Sequence, residues 1–310
     1  MNVLVTGATG FIGCHVVTAL LAKGHRVTAV ARNPQRASQA PWYGQATFLA
    51  ADIHAPGCAE RLEPSQFDAV VHLAWPGLPN YGALSHLDRT LPDECRFLGD
   101  LVRLGTRQLL VSGTCFEYGL VSGCLAESTP PQPVTAYGMA KNSLRGYLEL
   151  LQKTHPFRLQ WARLFYMHGP GQNPKSLLPQ LDKALAEGQP VFNLSGGEQL
   201  RDYLPVEEVA TRLVALLAHP GFDGVINICS GQPVSVRRLV EGHVTAVGGS
   251  IRFNFGHYPY PDYEPMAFWG DTRKFQNLYR SPMQSVECDG TNEPQNEVFA
   301  RDLSIHENER

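Results

Sequence analysis

The sequence predicts an α/β fold built on a doubly wound parallel sheet, with a smaller C-terminal lobe. Two observations lead to it. Short β-branched apolar runs alternate with helical patterns through the first half of the chain. A glycine-rich turn, Gly7-Ala8-Thr9-Gly10-Phe11-Ile12-Gly13, then joins the first run to the first helix. Alternating strands and helices pack as a parallel sheet covered on both faces, and ligands bind outside the carboxyl ends of its strands.

Each element follows from local pattern. Strands are expected at Val3–Thr6, Arg26–Ala31, Ala46–Ala50, Ala69–Ala74, Gln108–Ser112 and Leu159–Leu164. The helix after the first strand carries Ile12, Val16 and Leu20 at a spacing of four, one apolar stripe for the sheet. Further helices are expected at Asp93–Leu104 and Tyr137–Leu151. After about Phe165 the texture turns loop-rich, aromatic and polar, as in GPGQNPKS (Gly169–Ser176), SGG (Ser195–Gly197) and HYPYPDYEP (His257–Pro265). Residues 1–165 are therefore expected to bind a dinucleotide in a Rossmann domain, with 204–230 returning to it. Residues 166–283 are expected to form the substrate lobe, and 284–310 a loose polar tail.

Composition excludes several functions. The 310 residues are 43% hydrophobic and 18% charged, enough for a sizeable core, with a net charge of −3. That balance offers no broad basic field for nucleic acid or a membrane surface, so an anionic ligand needs a local site. Cys14, Cys58, Cys95, Cys115, Cys124, Cys229 and Cys288 show neither CxxC nor Cys/His ligand spacing. They read as scattered thiols of a cytoplasmic enzyme, with no metal site. The opening MNVLVTGATG lacks the pattern of a signal peptide, and no apolar run is long enough to span a membrane.

The glycine turn points to a dinucleotide. Glycines allow a sharp turn and let a pyrophosphate approach the free N–H groups of a helix N-terminus. Gly7, Gly10, Phe11, Ile12 and Gly13 are the expected contacts. An NAD-preferring site places an acid at the end of the second strand to hold the ribose 2′-OH. This chain has no carboxylate before Asp52; it has Arg32 at the strand end and Arg36 behind it. A guanidinium there pairs with a 2′-phosphate, so NADP(H) is expected in preference to NAD(H), which stays possible.

Tyr137-Gly138-Met139-Ala140-Lys141 places a phenol and an ammonium one helical turn apart on one face. A neighbouring cation favours tyrosinate, so the Tyr137 pKa is expected to fall toward working pH. Upstream, Ser112-Gly113-Thr114 ends a strand where a hydroxyl can face the ligand crevice.

Taken together, these segments resemble the extended short-chain dehydrogenase/reductase family, NAD(P)-dependent epimerases, dehydratases and ketoreductases of nucleotide sugars. The resemblance runs from Met1 to about Phe275. It rests on VTGATGFIG (Val5–Gly13), Asp52-Ile53, HLA (His72–Ala74), SGTCFEYG (Ser112–Gly119), YGMAK (Tyr137–Lys141), GPGQ (Gly169–Gln172), RDYLPVEEVA (Arg201–Ala210) and GDTRK (Gly270–Lys274). It implies a hydroxyl–Tyr–Lys triad of Thr114, Tyr137 and Lys141. Asp52 and Ile53 would contact adenine, and Leu73 and Ala74 would line the cofactor. Arg201 would grip a sugar-nucleotide diphosphate, with Arg273 a second candidate. A homodimer through the helices near Asp93–Leu104 and Tyr137–Leu151 is also implied.

Family variants narrow the chemistry. Dehydratases follow the triad hydroxyl with an acidic pair, but here Cys115-Phe116 follow Thr114, which disfavours elimination. Epimerase-reductases place a cysteine two residues after the hydroxyl, where this chain has Phe116. Cys115 reads as a packed thiol. Glu117 either touches substrate hydroxyls or caps the following turn. The family's usual Asn is replaced by Tyr166, a candidate sugar contact, and its Tyr by His168, which reads as a packed or loop histidine. The remaining chemistry is ketoreduction; GTCFEYG (Gly113–Gly119) and EPMAFWGD (Glu264–Asp271) resemble reductases of nucleotide-linked 4-keto-6-deoxyhexoses, which implies hydride delivery to C4 with Tyr137 as proton donor. The rivals are a 4-epimerase with retained cofactor and a non-catalytic NADP-binding sensor.

Overall fold

Apolar side chains alternate along the central strands so that both faces must be covered. Val3 and Val5 face one layer of helices while Leu4 faces the other, and Val71 and Val70 divide in the same way. The computed structural model, which describes residues 1–219 and 221–280, shows the result. Strands β1 (Asn2–Thr6), β2 (Arg26–Ala31), β3 (Thr47–Ala50), β4 (Ala69–His72), β5 (Gln108–Thr114), β7 (Arg158–Leu164) and β11 (Gly224–Ile228) form one parallel sheet in the order β11-β7-β5-β4-β1-β2-β3. The order reverses between β1 and β4, the topological switch point where such sheets bind ligands.

Helices α1 (Phe11–Ala22) and α7 (Val206–Ala218) pack together on one face. On the other face lie α3 (Cys58–Leu62), α4 (Leu91–Arg103) and α5 (Ala136–Leu151), which bury Phe97, Leu98, Leu101, Leu144 and Leu148 against Leu109, Val111 and Trp161. The short α2 (Pro34–Ser38) follows β2, capped by the Asn33 side chain.

The second lobe is built from small sheets. Strands β8 (Tyr166–His168), β10 (Leu200–Pro205) and β12 (Pro233–Ser235) form one, and β9 (Val191–Asn193) pairs with β13 (Arg252–Asn254). Strand β6 (Gly123–Leu125) pairs with β14 (Phe268–Gly270). Helices α6 (Leu177–Ala186) and α8 (Val236–Ala246) share a core of Leu178, Leu181, Leu194, Val240 and Val244. The final helix, α9 (Arg273–Arg280), lies against β11. The tail expected at 284–310 and Cys288 lie outside the described residues.

Two strand ends differ from the sequence reading by two residues. β4 ends at His72 rather than Ala74, because the chain leaves the sheet where Gly7 passes close to it. A Cβ on Gly7 would stand 2.7 Å from Ala74 N. β5 runs on to Thr114, where the Thr114 side chain caps a 3₁₀ turn over Cys115–Tyr118. The glycine turn itself is as tight as backbone contact permits. Gly7 has φ of +70°, and a Cβ on Gly13 would stand 2.1 Å from Gly7 O. Gly13→Ala should therefore cost about 1–3 kcal/mol of stability as the turn is forced open. Urea unfolding checks this; an unchanged midpoint would show that the turn yields without strain.

Candidate active site

The first turn of α1 is prepared for an anion. Gly10 caps it without a side chain, and no acidic residue occupies that turn. In front of it lies a cleft of about 270 Å³ lined by Gly7, Thr9, Gly10, Arg32, Arg36, Asp52, Ile53, His54, Leu73, Ala74 and Trp75. Seven of the expected cofactor residues (Gly7, Gly10, Arg32, Asp52, Ile53, Leu73 and Ala74) thus meet in one place. Phe11, Ile12 and Gly13 stand behind them in α1. Asp52 shapes its own loop by accepting from His54 N (3.1 Å). A dinucleotide fits this donor set: bare helix N–H groups and glycine for phosphates, a carboxylate and apolar walls for a nucleoside, and two exposed guanidiniums at the rim.

The candidate pair of Tyr137 and Lys141 adjoins the cleft through Trp75. Thr135 caps α5 by accepting from Gly138 N (3.0 Å), which sets Tyr137 in its first turn, and Lys141 follows one turn later. The Tyr137 ring stands 5.8 Å from the Trp75 ring, edge-on, and 6.3 Å from Phe116. Lys141 is fully buried; its Nζ donates to Ser112 O (2.9 Å) and sits 4.0 Å over the Trp75 ring. Thr114, at the end of β5, provides a hydrogen bond that favours the Tyr137 phenolate.

One electrostatic expectation is corrected. Burial raises the Tyr137 pKa above its ordinary value, with Tyr81, Glu117 and Cys115 adding to the rise and the Thr114 hydrogen bond opposing it. The ammonium does not lower it, because Nζ is turned toward Ser112 O and the indole. Burial instead brings Lys141 down to about 8, with the fields of Glu94 and Glu117 opposing.

Most of the substrate-side candidates are engaged within the protein. Glu117 is fully buried: its Oε2 accepts from Arg163 Nε (2.8 Å) and its Oε1 from Trp161 Nε1 and Thr114 N (both 2.9 Å). It caps the turn and holds an ion pair, so no oxygen faces a sugar. Arg201 is also buried, donating from Nε and Nη2 to Glu264 Oε2 (3.2 and 2.8 Å) and from Nη1 to Leu200 O and Met266 O (2.9 and 3.2 Å). Its guanidinium is satisfied within the protein rather than presented to a diphosphate. Tyr166 donates to the same Glu264 and packs against Phe116 and Tyr203, so its hydroxyl is also engaged. Arg273 is exposed at the start of α9 and held by Asp271 (Nε to Oδ2, 2.8 Å). Cys115 is a buried thiol pushed well up by desolvation, as its packed reading requires.

Sequence reasoning missed the surroundings of the pair. Tyr81, 5.7 Å from the Tyr137 ring, accepts from Tyr137 N through its carbonyl (3.0 Å). His86 lies 5.5 Å from the same ring. Glu94 of α4 is buried between His54 (3.0 Å) and His72 (2.9 Å). Burial alone would raise its pKa, but the two imidazoles hold it at about 2. Of these residues only His72 stands in a motif, HLA (His72–Ala74).

Fold, cleft and the Thr114–Tyr137–Lys141 group define a nicotinamide-dependent enzyme of the extended short-chain dehydrogenase type. The chain belongs to the NAD dependent epimerase/dehydratase family, which matches residues 3–229. It is 31% identical over 272 residues to dTDP-6-deoxy-L-talose 4-dehydrogenase (NAD(+)) of Aggregatibacter actinomycetemcomitans, covering 87% of this chain and 99% of that protein. It is 27% identical over 290 residues to UDP-arabinose 4-epimerase 1 of Arabidopsis thaliana, covering 82% and 69% respectively. Among solved structures it resembles UDP-glucuronic acid 4-epimerase from Bacillus cereus in complex with UDP-glucuronic acid and NAD. That similarity has a TM-score of 0.77 and 26% identity over 92% of this chain and 95% of that one. No helix among the described residues is long and apolar enough to cross a membrane.

Because Arg201 is a buried partner of Glu264, Arg201→Ala should strand a carboxylate and cost roughly 3–5 kcal/mol of stability. Thermal melting beside steady-state kinetics checks it. A selective rise in KM at unchanged stability would restore Arg201 to a ligand-gripping role.

Proposed function

We propose that the protein is a ketoreductase acting at C4 of a nucleotide-linked 4-keto-6-deoxyhexose. The observation that carries this reading is Tyr137, flanked by Thr114 and Lys141 beside a dinucleotide cleft. The buried Phe116 and Cys115 occupy the neighbouring positions where further acid–base groups would stand. A nicotinamide bound in the cleft supplies the hydride. Tyr137, kept neutral by burial, holds the proton that the C4 oxygen takes. Thr114 orients that oxygen by hydrogen bonding, and Lys141, one helical turn from Tyr137, adds positive charge to the site while it stays protonated. The relative named for a 6-deoxy-L-talose 4-dehydrogenation supports chemistry at C4 of a 6-deoxy sugar.

A second reading, a nucleotide-sugar 4-epimerase with retained cofactor, is favoured by the similarity to UDP-arabinose and UDP-glucuronic acid 4-epimerases. The same three residues serve both reactions. For the cofactor we favour NADP(H), because Arg32 and Arg36 line the cleft without an acid at the end of β2. In this reading residues 1–165 and 204–230 hold the cofactor, and 166–283 cover the sugar. The enzyme works in the cytoplasm as a homodimer through α4 and α5, the latter exposing Met139 and Leu150.

Tyr137→Phe should keep the fold and cofactor binding and lose about 10²–10⁴-fold in turnover. Deuterium carried on the reduced nicotinamide should appear at C4 of the product, with no solvent deuterium at C3 or C5. Full activity in Tyr137→Phe, or solvent label at those carbons, contradicts the assignment. Reduction should also slow as pH rises through about 8, because Lys141 loses its charge there while Tyr137 stays protonated. A rate that is flat up to the ordinary lysine range would contradict a required ammonium. Arg32→Asp should weaken NADPH far more than NADH, since a phosphate partner becomes a repelling anion; equal affinities of the parent protein for the two cofactors would remove the preference.

A further inference from the structure

A buried ammonium needs partners, and those of Lys141 are unusual. Among the described residues no carboxylate stands within ion-pairing distance of its Nζ. The two whose fields reach it are engaged elsewhere, Glu94 of α4 with His54 and His72, and Glu117 of the turn after β5 with Arg163. On its own helix the nearest titratable group of the site is the neutral phenol of Tyr137. What touches Nζ is the Ser112 carbonyl at 2.9 Å and the face of Trp75 at 4.0 Å. An indole face is the strongest of the aromatic acceptors for a cation, more so where water is excluded.

The indole is itself held. Trp75 Nε1 donates to His86 Nδ1 (3.1 Å), and His86 Nε2 donates to Asn80 O (2.8 Å). These two bonds define a neutral imidazole with its proton on Nε2. His86 is fully buried and opens a π-helical turn, His86–Thr90, that leads into α4; such turns often occur at functional sites. The loop after Trp75 closes over it: Gly77, at φ +87°, would place a Cβ 3.0 Å from His86 Cε1.

We infer that Trp75 and His86 form a positioning device for the catalytic ammonium, His86 fixing the indole so that its face and the Ser112 carbonyl hold Lys141 charged and in place, one helical turn from Tyr137. The inference rests on Lys141 belonging to the catalytic group, and it is independent of which sugar is reduced. Trp75 and His86 are positioning residues, since neither need touch the sugar. Trp75 also lines the cofactor cleft, so any effect on cofactor affinity must be separated from an effect on Lys141.

The test follows the Lys141 titration directly, in the full chain without sugar. Isotope-labelled lysine is used, with the resonance assigned by its loss in Lys141→Met. Trp75→Leu should move that titration down by about one pH unit, the shift expected when a desolvated cation–π contact is lost. Trp75→Phe, which restores a ring face, should recover most of the shift. His86→Leu, which leaves the indole present but unheld, should move it in the same direction by less. The alkaline limb of kcat should follow the titration in each variant. A titration unmoved in Trp75→Leu, or in His86→Leu should the first variant not fold, overturns the inference. Loss confined to cofactor affinity would leave Trp75 as a cleft wall only. A moved titration with no ketoreduction on any 4-keto sugar would sustain this inference and sink the substrate reading instead.

Discussion

The ammonium of Lys141 is buried completely, and a charge in that position must be answered by its neighbours or it deprotonates. The answer comes from three segments that the fold brings together: the carboxyl end of β5, which offers the Ser112 carbonyl; the loop after β4, which offers Trp75; and α5, which carries Lys141 itself. The same convergence places Tyr137 and Thr114. The geometry of the proposed site is a consequence of parallel strands ending side by side, with every crossover returning the chain to the same edge.

Burial decides what each group can do. The phenol of Tyr137 is kept protonated, which suits a group that must give a proton to an oxygen newly acquiring charge. The lysine, brought down to about 8, lies close enough to neutrality that its immediate neighbours decide its charge. Other buried charges serve structure: Glu117 with Arg163 ties β5 to β7, and Arg201 with Glu264 ties β10 to the segment before β14. Such pairs tolerate little, since removing one partner leaves the other charge uncompensated.

Much of this was legible in the sequence for local reasons. A glycine turn after a strand, a Tyr and a Lys four apart on a helix, and a strand ending in a hydroxyl are patterns within single elements. The comparisons bear out the fold class and the family drawn from them. Against the sugar contacts expected of Tyr166 and Arg201, and beside the turn cap read for Glu117, the structure sets buried pairings far along the chain. Their partners are Arg163, at a separation of 46 residues, and Glu264, at 98 and 63, and no local pattern reports such pairings. The expected fall in the Tyr137 pKa failed because helical spacing reveals proximity but neither burial nor where an ammonium turns. Trp75 and His86 escaped notice because a tryptophan after a strand and a histidine in a loop have no meaning until the loop folds back.

The central claim is that Tyr137 and Lys141 serve net reduction at C4 rather than a reversible internal exchange. The most direct measurement is the stoichiometry of nicotinamide oxidation against product formed, with purified enzyme and a nucleotide-linked 4-keto-6-deoxyhexose. The account predicts one reduced nicotinamide consumed for each 4-hydroxy product. Inversion at C4 of a nucleotide sugar with no net consumption of cofactor would contradict it and establish the epimerase in its place.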